Sequence, residues 1–202
     1  MGEGYISHLI EHPEISIRDV RILHTYQPNA RRIVDVGCGR GGFVDMCMQQ
    51  MEGVLGLDSE PLAASISRVQ DLPFLLGDVV ALPFVSGSLD VVRAKEVIEH
   101  MTDALSMVRE VHRVLRPGGL FLCHVPTQFS ALYPVGNFWD DYTHVRPLSR
   151  VGLRRLLQDT GFQIVLIKGY TAGRNRPERL LGRVLGVVLP HIWLALARKP
   201  EE

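Results

Sequence analysis

Seven apolar runs of strand length recur along the chain, with segments of helical character between them. They are RRIVDVG (31–37), GVLGLD (53–58), PFLLGD (73–78), LDVVRA (89–94), GLFLCHV (119–125), FQIVLI (162–167) and HIWLALAR (191–198). The runs at 33–36, 89–92 and 119–125 are apolar on both faces of the pleat, as strands that are covered on both sides require. The pattern therefore predicts an α/β fold in which helices cover both faces of a sheet in a three-layer sandwich.

Three segments between these runs carry apolar residues at helical intervals. They are FVDMCMQQM (43–51), EVIEHMTDALSMVREVHRVL (96–115) and SRVGLRRLLQDTGF (149–162). Gly118 and Gly119 follow Pro117, and Gly161 follows Thr160, so glycines are expected to end the second and third helices.

The length of 202 residues suits one well-filled core. We expect a single domain over 1–202, with an N-terminal helical cap at 1–30. A segment at 126–148 is expected to form a lid or acceptor loop. A second segment, 168–190, is interpreted as an insertion between the last two strands.

Charge and cysteine content exclude several classes of partner and site. The 22 basic and 22 acidic residues balance, so no overall field draws the chain to nucleic acid or to an anionic membrane. The three cysteines show no C-x-x-C spacing, which argues against a disulfide framework or a cysteine zinc site. No uncharged run approaches the length of a membrane span, and we expect a soluble, cytoplasmic protein with reduced thiols.

The stretch DVGCGRGGF (35–43) satisfies two glycine fingerprints at once. Gly37, Gly39 and Gly42 fit the G-x-G-x-x-G of dinucleotide-binding folds, whereas Asp35 and its following glycines fit the acidic loop of S-adenosylmethionine enzymes. The Asp35 carboxylate would repel a pyrophosphate but attract an ammonium or a sulfonium. It therefore favours S-adenosylmethionine, and Gly42 is expected to let the next helix pack close to the sheet.

Two further aspartates end later strands, where open parallel sheets bind their ligands. Asp58 could accept the hydroxyl hydrogens of a ribose, a role shared with NAD enzymes. Asp78 could accept from an adenine amino group, with Val79 supplying a backbone N–H and an apolar wall. Either aspartate alone could instead cap a helix or a turn, but three acids at consecutive strand ends favour a ligand.

The chain resembles the class I S-adenosylmethionine-dependent methyltransferases, closest to the type 11 group. The matching stretches are VDVGCGRGGF (34–43), LGLDSEPLA (55–63), GDVVALPFVSGSLDVVRAKEVIEHM (77–101), REVHRVLRPGGLFLCHVP (109–126) and HVRPLSRVGLRRLLQDTGF (144–162). The resemblance implies a Rossmann-like, seven-stranded, mostly parallel sheet in the order 3-2-1-4-5-7-6, with strand 7 antiparallel. It also implies S-adenosyl-L-methionine as donor and S-adenosyl-L-homocysteine as product. The donor site that it implies comprises Asp35, Gly37, Cys38, Gly39, Asp58, Ser59, Asp78, Val79, Ala94 and Lys95.

Methyl transfer needs alignment of the reactants more than acid catalysis, so few catalytic residues are expected. A hydroxyl acceptor would require a base, for which His100, His124 and His144 are candidates. His144 is the preferred candidate and His100 a weaker one. Glu96 and His100 are spaced to share one face of a helix.

We expect no metal at this site, although one alternative stays open. A Glu-x-x-Glu-His run such as EVIEH (96–100) resembles that of metal-dependent methyltransferases, in which a later histidine helps to hold magnesium. His144 could be that histidine. Acidic residues also suit the start of a helix without any metal.

Two segments are candidates for contact with the acceptor. The loop PTQFSALYPVGNFWDDYTHVRP (126–147) contains aromatic residues that could pack on the domain or stack on an acceptor, with Asp141 or Arg146 orienting it. For the individual aromatics, packing is favoured. The 168–190 insertion interleaves Arg174, Arg176, Arg179 and Arg183 with apolar residues. We expect its apolar side to dock on the sheet, with peripheral membrane contact through 174–189 as an alternative.

These patterns together predict an S-adenosylmethionine-dependent methyltransferase that acts on a small-molecule, sugar, lipid or quinone-type acceptor. One alternative is a methyltransferase-like module without catalytic activity that serves as a binding or regulatory subunit. Another is an NAD(P)-dependent oxidoreductase, for which the sequence offers no hydride-transfer dyad.

Overall fold

The computed structural model describes residues 13–132, 137–171 and 189–201. Seven strands form one sheet in the order β3-β2-β1-β4-β5-β7-β6. Strands β1 to β5 pair in parallel, and β7 pairs antiparallel with both β5 and β6. The strands are β1 (Ile33–Val36), β2 (Val54–Asp58), β3 (Phe74–Leu76), β4 (Leu89–Lys95), β5 (Leu115–Pro126), β6 (Gln163–Tyr170) and β7 (Ile192–Arg198). The predicted fold class, strand order and direction of β7 are confirmed.

Two apolar cores cover the two faces of the sheet. One contains Val20, Phe43 and Cys47 from the helices of one face, and the other contains Met107 and Leu153 from the helices of the opposite face. The helices are α1 (Pro13–Tyr26), α2 (Gly42–Met48), α3 (Pro61–Val69), α4 (Ala104–Val114) and α5 (Arg150–Asp159). Neighbouring residues of β5 alternate between the cores, so the sheet is covered on both sides as its apolar strands predict.

The segment predicted as one helix over 96–115 is divided. Glu96 has a φ of +55°, a short 3-10 helix spans Ile98–His100, and α4 begins only after Asp103. The Asp103 side chain accepts a hydrogen bond from the Ser106 N–H, which is the bond that an N-cap makes. The prediction that Glu96 and His100 share a helix face is therefore wrong. The helix α3 was not among the predicted helices.

The C-terminal ends of α4 and α5 are formed in different ways. Strand β5 begins at Leu115, so α4 ends at Val114, before the glycines that were expected to end it. Gly161 has a φ of +92° directly after the C-cap of α5, as predicted. Within the described residues, no helix combines the length and apolar character of a membrane span.

Candidate functional site

The carboxyl ends of β1 to β4 meet at one edge of the sheet. Val36 lies beside both Leu57 of β2 and Ala94 of β4. Asp58, the last residue of β2, lies beside Leu76, the last residue of β3. The predicted donor residues lie at or just after these strand ends, so the sheet brings them to one edge.

The loop between β1 and α2 depends on glycine for two close approaches. Gly37 has a φ of +67°, and a Cβ there would lie 2.4 Å from the Val97 Cγ2 atom. Gly41 has a φ of +75°, and a Cβ there would lie 2.5 Å from the Leu72 Cδ1 atom. Gly42 is exposed at the start of α2, so the packing role predicted for it is wrong, and the close contact lies instead between Gly41 and the Leu72 side chain.

The amide groups of this loop turn toward β2. The N–H groups of Gly37 and Cys38 both donate to the Leu57 carbonyl oxygen, at 2.8 and 3.2 Å. The Gly39 N–H donates to Asp58 Oδ2 at 2.9 Å. A loop that binds pyrophosphate aims such amides at the phosphate oxygens. Three consecutive N–H groups are engaged elsewhere here, which argues against a dinucleotide.

The predicted donor residues at or just after the ends of β2, β3 and β4 differ in burial. Asp58 is half-buried, and its Oδ1 accepts from the Glu60 N–H at 3.0 Å, whereas Ser59 is exposed. Asp78 is exposed and accepts from the Val80 N–H at 3.0 Å, so it caps a turn. The remaining predicted donor residues are Val79, which packs on the core, the buried Ala94, and Lys95, whose Nζ lies 2.6 Å from Glu96 Oε2.

Asp35 is fully buried within β1 and has a charged partner that sequence analysis missed. The Arg93 guanidinium of β4 donates from Nη1 to Asp35 Oδ1 at 2.8 Å, and Arg93 is only 1% exposed. A single arginine within the apolar run LDVVRA was the available signal, because a buried cation requires an anionic partner.

The three candidate histidines separate into two places. His124 is fully buried within β5, where its ring bonds to Asp19 and Tyr170, so it is not placed to act as a base. His100 and His144 lie together, with 4.7 Å between their ring centroids. The Val145 N–H donates to the Glu99 carbonyl oxygen at 2.8 Å, which joins the acceptor loop to the segment after β4.

Hydrogen bonds define the tautomers of both rings. His144 Nδ1 lies 2.6 Å from the Phe138 carbonyl oxygen, which can only accept, so Nδ1 carries a proton. Thr143 Oγ1 donates to Asp141 Oδ1 at 2.7 Å and therefore accepts from His100 Nδ1 at 2.8 Å. In their neutral forms both rings consequently present Nε2 as a proton acceptor or metal ligand.

Glu99 supplies a third polar group beside these rings. Its carboxyl is fully buried, and neither oxygen has a hydrogen-bond partner among the described residues. Burial, reinforced by the nearby Glu96 charge, raises the pKa of Glu99 well above its ordinary value. Ligand atoms of Glu99, His100 and His144 all lie within 4.8 Å of one another. Two imidazoles and one carboxylate match the donor set of several catalytic metal sites.

The aromatic residues of the acceptor loop divide between core and surface. Phe138 is buried, and its ring lies 4.5 Å from that of His144. Trp139 and Tyr142 are 61% and 94% exposed, so the expectation that they pack on the domain is wrong for both. The arginines Arg174, Arg176, Arg179 and Arg183, with most of the 168–190 insertion, lie outside the described residues, as do residues 1–12 of the cap and Tyr133.

The comparisons with known proteins agree with the observed fold. A family described as "Methyltransferase domain" matches residues 34–123. A crystal structure of a SAM-dependent methyltransferase from Archaeoglobus fulgidus superposes with a TM-score of 0.73 at 19% identity, over 93% of this chain and 95% of that one. That likeness shows the shared fold.

Two relatives extend the match in sequence. A "Probable S-adenosylmethionine-dependent methyltransferase" of Mycolicibacterium smegmatis is 34% identical over 73% of this chain, which spans 58% of that protein's length. A "Malonyl-[acyl-carrier protein] O-methyltransferase" of Erwinia pyrifoliae is 30% identical over 85% of this chain and 68% of its own length. The strand order, the glycine loop beside Asp58 and these matches lead to one conclusion: the chain belongs to the S-adenosylmethionine-dependent methyltransferases.

Proposed function

We propose that the chain transfers a methyl group from S-adenosyl-L-methionine to an oxygen atom of a small-molecule acceptor, with His144 as the base. The observation that carries the proposal is the fixed His144 tautomer, because its Nε2 is the nitrogen able to accept a proton. An O-methyltransferase among the relatives supports an oxygen acceptor. The name of that relative gives a malonyl group on an acyl carrier protein as its acceptor, which favours the lipid-like class over sugar and quinone acceptors.

The donor is proposed to lie at the edge where β1 to β4 end. Asp58 would accept from the ribose hydroxyls, and Asp78 and Val79 would lie at the adenine. Asp35, Gly37, Cys38 and Gly39 would surround the methionine part, with Ser59, Ala94 and Lys95 completing the site. S-Adenosylmethionine supplies the electrophilic methyl group when bound.

His144 is proposed to take the proton of an acceptor hydroxyl through Nε2. Asp141 Oδ2 lies 3.8 Å from that nitrogen, so its charge would stabilise the ring after it accepts the proton. Phe138 holds the other nitrogen in place. The exposed rings of Trp139 and Tyr142 are available to contact the acceptor.

One observation favours a second form of the same reaction, in which a divalent cation assists. The buried Glu99 carboxyl has no hydrogen-bond partner among the described residues, and such a group requires an explanation. Glu99, His100 and His144 would hold the ion, and their nitrogen and oxygen ligands suit zinc or a related first-row metal better than magnesium. A metal there would supply Lewis-acid polarisation of an acceptor oxygen.

The test begins with cell extract incubated with the chain and methyl-labelled S-adenosylmethionine. Mass spectrometry of the product identifies the acceptor and the methylated atom together. Failure to form product while the chain binds the donor would support the silent binding module. Saturable NAD binding without S-adenosylmethionine binding would support the oxidoreductase.

Substitution of His144 then tests its role with the identified acceptor. His144→Ala should lower kcat about 10²- to 10⁴-fold, the usual contribution of a positioned base, and leave donor affinity unchanged. His24→Ala, on the exposed end of α1, is the matched control and should keep full activity. Full activity of His144→Ala would contradict the assignment of His144 as the base.

Chelation separates the two forms of the reaction. If His144 acts as a base alone, activity should survive removal of metals, and Glu99→Gln should lower kcat less than His144→Ala. If a metal assists, chelation should abolish activity and zinc should restore it. In that case Glu99→Gln and His100→Ala should match His144→Ala.

A further inference from the structure

A cluster of polar side chains lies buried between α1 and the sheet. We name it the α1 polar cluster, and it consists of Asp19, Asp35, Arg93, His124 and Tyr170. Asp19 lies on α1, and the other four lie on β1, β4, β5 and β6. The sheet register places all four strand residues on the same face.

Arg93 occupies the centre of the α1 polar cluster. Its Nε donates to Asp19 Oδ2 and its Nη1 donates to Asp35 Oδ1, both at 2.8 Å. Its guanidinium lies over the Phe43 ring, 4.1 Å from the ring centroid. One buried cation thus joins α1, the acidic residue before the glycine loop, and the helix after that loop.

His124 fixes the position of Asp19 from the other side. Its Nε2 lies 3.1 Å from Asp19 Oδ1, and its Nδ1 lies 2.9 Å from the Tyr170 hydroxyl. Burial lowers the pKa of His124 despite the opposing Asp19 charge, which favours the neutral ring. Asp19 can only accept, so Nε2 carries the proton and Nδ1 accepts from Tyr170.

A buried ion pair is by itself weak evidence for a role in fold stability. Well-packed apolar residues of similar volume often replace a buried ion pair without loss of stability. Arg93 instead divides its positive charge between two carboxylates, and one of them is the acid proposed to face the donor. The strength of the ion pair between Arg93 and Asp35 therefore depends on Asp19 of α1.

We propose that Asp19 is a positioning residue for the methyl donor, because it draws part of the Arg93 charge away from Asp35. The inference rests on the proposed role of Asp35 beside the methionine ammonium. Without the Asp19 charge, Arg93 would attract Asp35 more strongly and compete with that ammonium. Docking of α1 and binding of the methionine end of the donor are therefore coupled.

Two ligands that differ at the methionine end test this coupling. S-Adenosylhomocysteine carries the ammonium, whereas 5′-methylthioadenosine shares the adenosine and sulfur but lacks it. Asp19→Asn should raise the Kd for S-adenosylhomocysteine about tenfold or more, a typical allosteric coupling. It should leave the Kd for 5′-methylthioadenosine unchanged. Asp159→Asn is the matched control, because that aspartate is exposed on α5.

The outcomes separate this inference from a structural role and from the proposed function. Equal weakening of both ligands, or weakening of neither, would overturn the inference. If the unsubstituted chain binds neither ligand, the proposed donor itself is wrong. If Asp19→Asn does not fold, Arg93→Lys replaces it, since lysine keeps the charge but lacks the fork that reaches both carboxylates. Arg93→Lys must then change the Kd for S-adenosylhomocysteine and leave the Kd for 5′-methylthioadenosine unchanged, because one ammonium cannot pair with both carboxylates.

Discussion

At the scale of single residues, Asp58 builds part of the site before any ligand binds. Its two carboxylate oxygens accept from the N–H groups of Gly39 and Glu60, at 2.9 and 3.0 Å. A carboxylate offers about four lone-pair positions, so both oxygens retain capacity for a further bond. Asp58 can therefore hold the glycine loop and accept from a ribose at the same time.

Replacement of Asp58 by alanine should weaken S-adenosylmethionine binding by about 1–3 kcal/mol, because two ribose hydroxyls lose their acceptor. Isothermal titration calorimetry measures the affinity, and thermal melting reports any loss of the loop contacts. Asp159→Ala is the control at an exposed position. Unchanged affinity in Asp58→Ala would refute the ribose role.

Residue types alone did not distinguish the partners of the three aspartates. Asp35 was expected to attract the donor directly, yet its carboxylate already pairs with Arg93. Asp78 caps a turn through the Val80 N–H, as one alternative interpretation held. Side-chain partners depend on which residues the folded sheet brings together, and sequence spacing does not contain that information.

At the scale of elements, the glycine loop is shaped by its neighbour after β4. A Cβ at Gly37 would lie 2.4 Å from Val97 Cγ2, whereas a Cβ at Gly87 would meet nothing within 4 Å. Both glycines have nearly the same positive φ, +67° and +69°. A comparison of alanine substitutions at Gly37 and Gly87 therefore separates the cost of backbone strain from the cost of steric contact.

Gly87→Ala should lower the free energy of unfolding by about 1–2 kcal/mol, the cost of a left-handed conformation for an L-residue. Gly37→Ala should lower it more, because Val97 must also move, and should weaken donor binding. Urea denaturation gives the unfolding free energies, and calorimetry gives the affinities. Equal destabilisation by the two substitutions would show that the contact with Val97 carries no energy.

The segment after β4 shows where periodicity fails at this scale. Apolar residues at helical intervals continue through 96–115, but Glu96 has a φ of +55° and α4 starts after Asp103. The division places Glu99 and His100 beside the acceptor loop. The Glu96 N–H donates to the His124 carbonyl oxygen, a long-range contact that periodicity along the chain does not encode.

At the scale of the whole molecule, Asp90 joins three parts of the sheet at the edge opposite the candidate site. It accepts from the side chain of Arg32 before β1 and from Arg116 of β5, at 3.1 and 2.6 Å. Burial alone would raise the pKa of Asp90, but these bonds and the N–H groups of Arg31 and Arg32 hold it well below 3.8. The folded chain therefore stabilises the charged carboxylate.

The stability of the fold should consequently decrease in acid. The stabilisation by Asp90 is complete above its ordinary pKa of 3.8 and is lost as the pH falls below it, because the unfolded chain takes up the proton first. Asp90→Asn should lower the free energy of unfolding at pH 7 by about 1.5–3 kcal/mol. The difference from the unsubstituted chain should shrink at pH 3.

Urea titrations at pH 7, 5 and 3 test this dependence, with Asp159→Asn as the exposed control. A difference between Asp90→Asn and the unsubstituted chain that stays constant across this range would contradict the assignment.

The sequence by itself determined the fold class, the seven strands, the glycine loop and the family. Local periodicity and chain order encode these features directly, because strands and turns depend mainly on neighbouring residues. Only the tertiary structure decided that Arg93 bridges Asp19 and Asp35, that His124 is buried, and that His100 and His144 meet beside Glu99. These contacts join residues far apart in the chain, and their charges and tautomers follow from partners that only the folded sheet supplies.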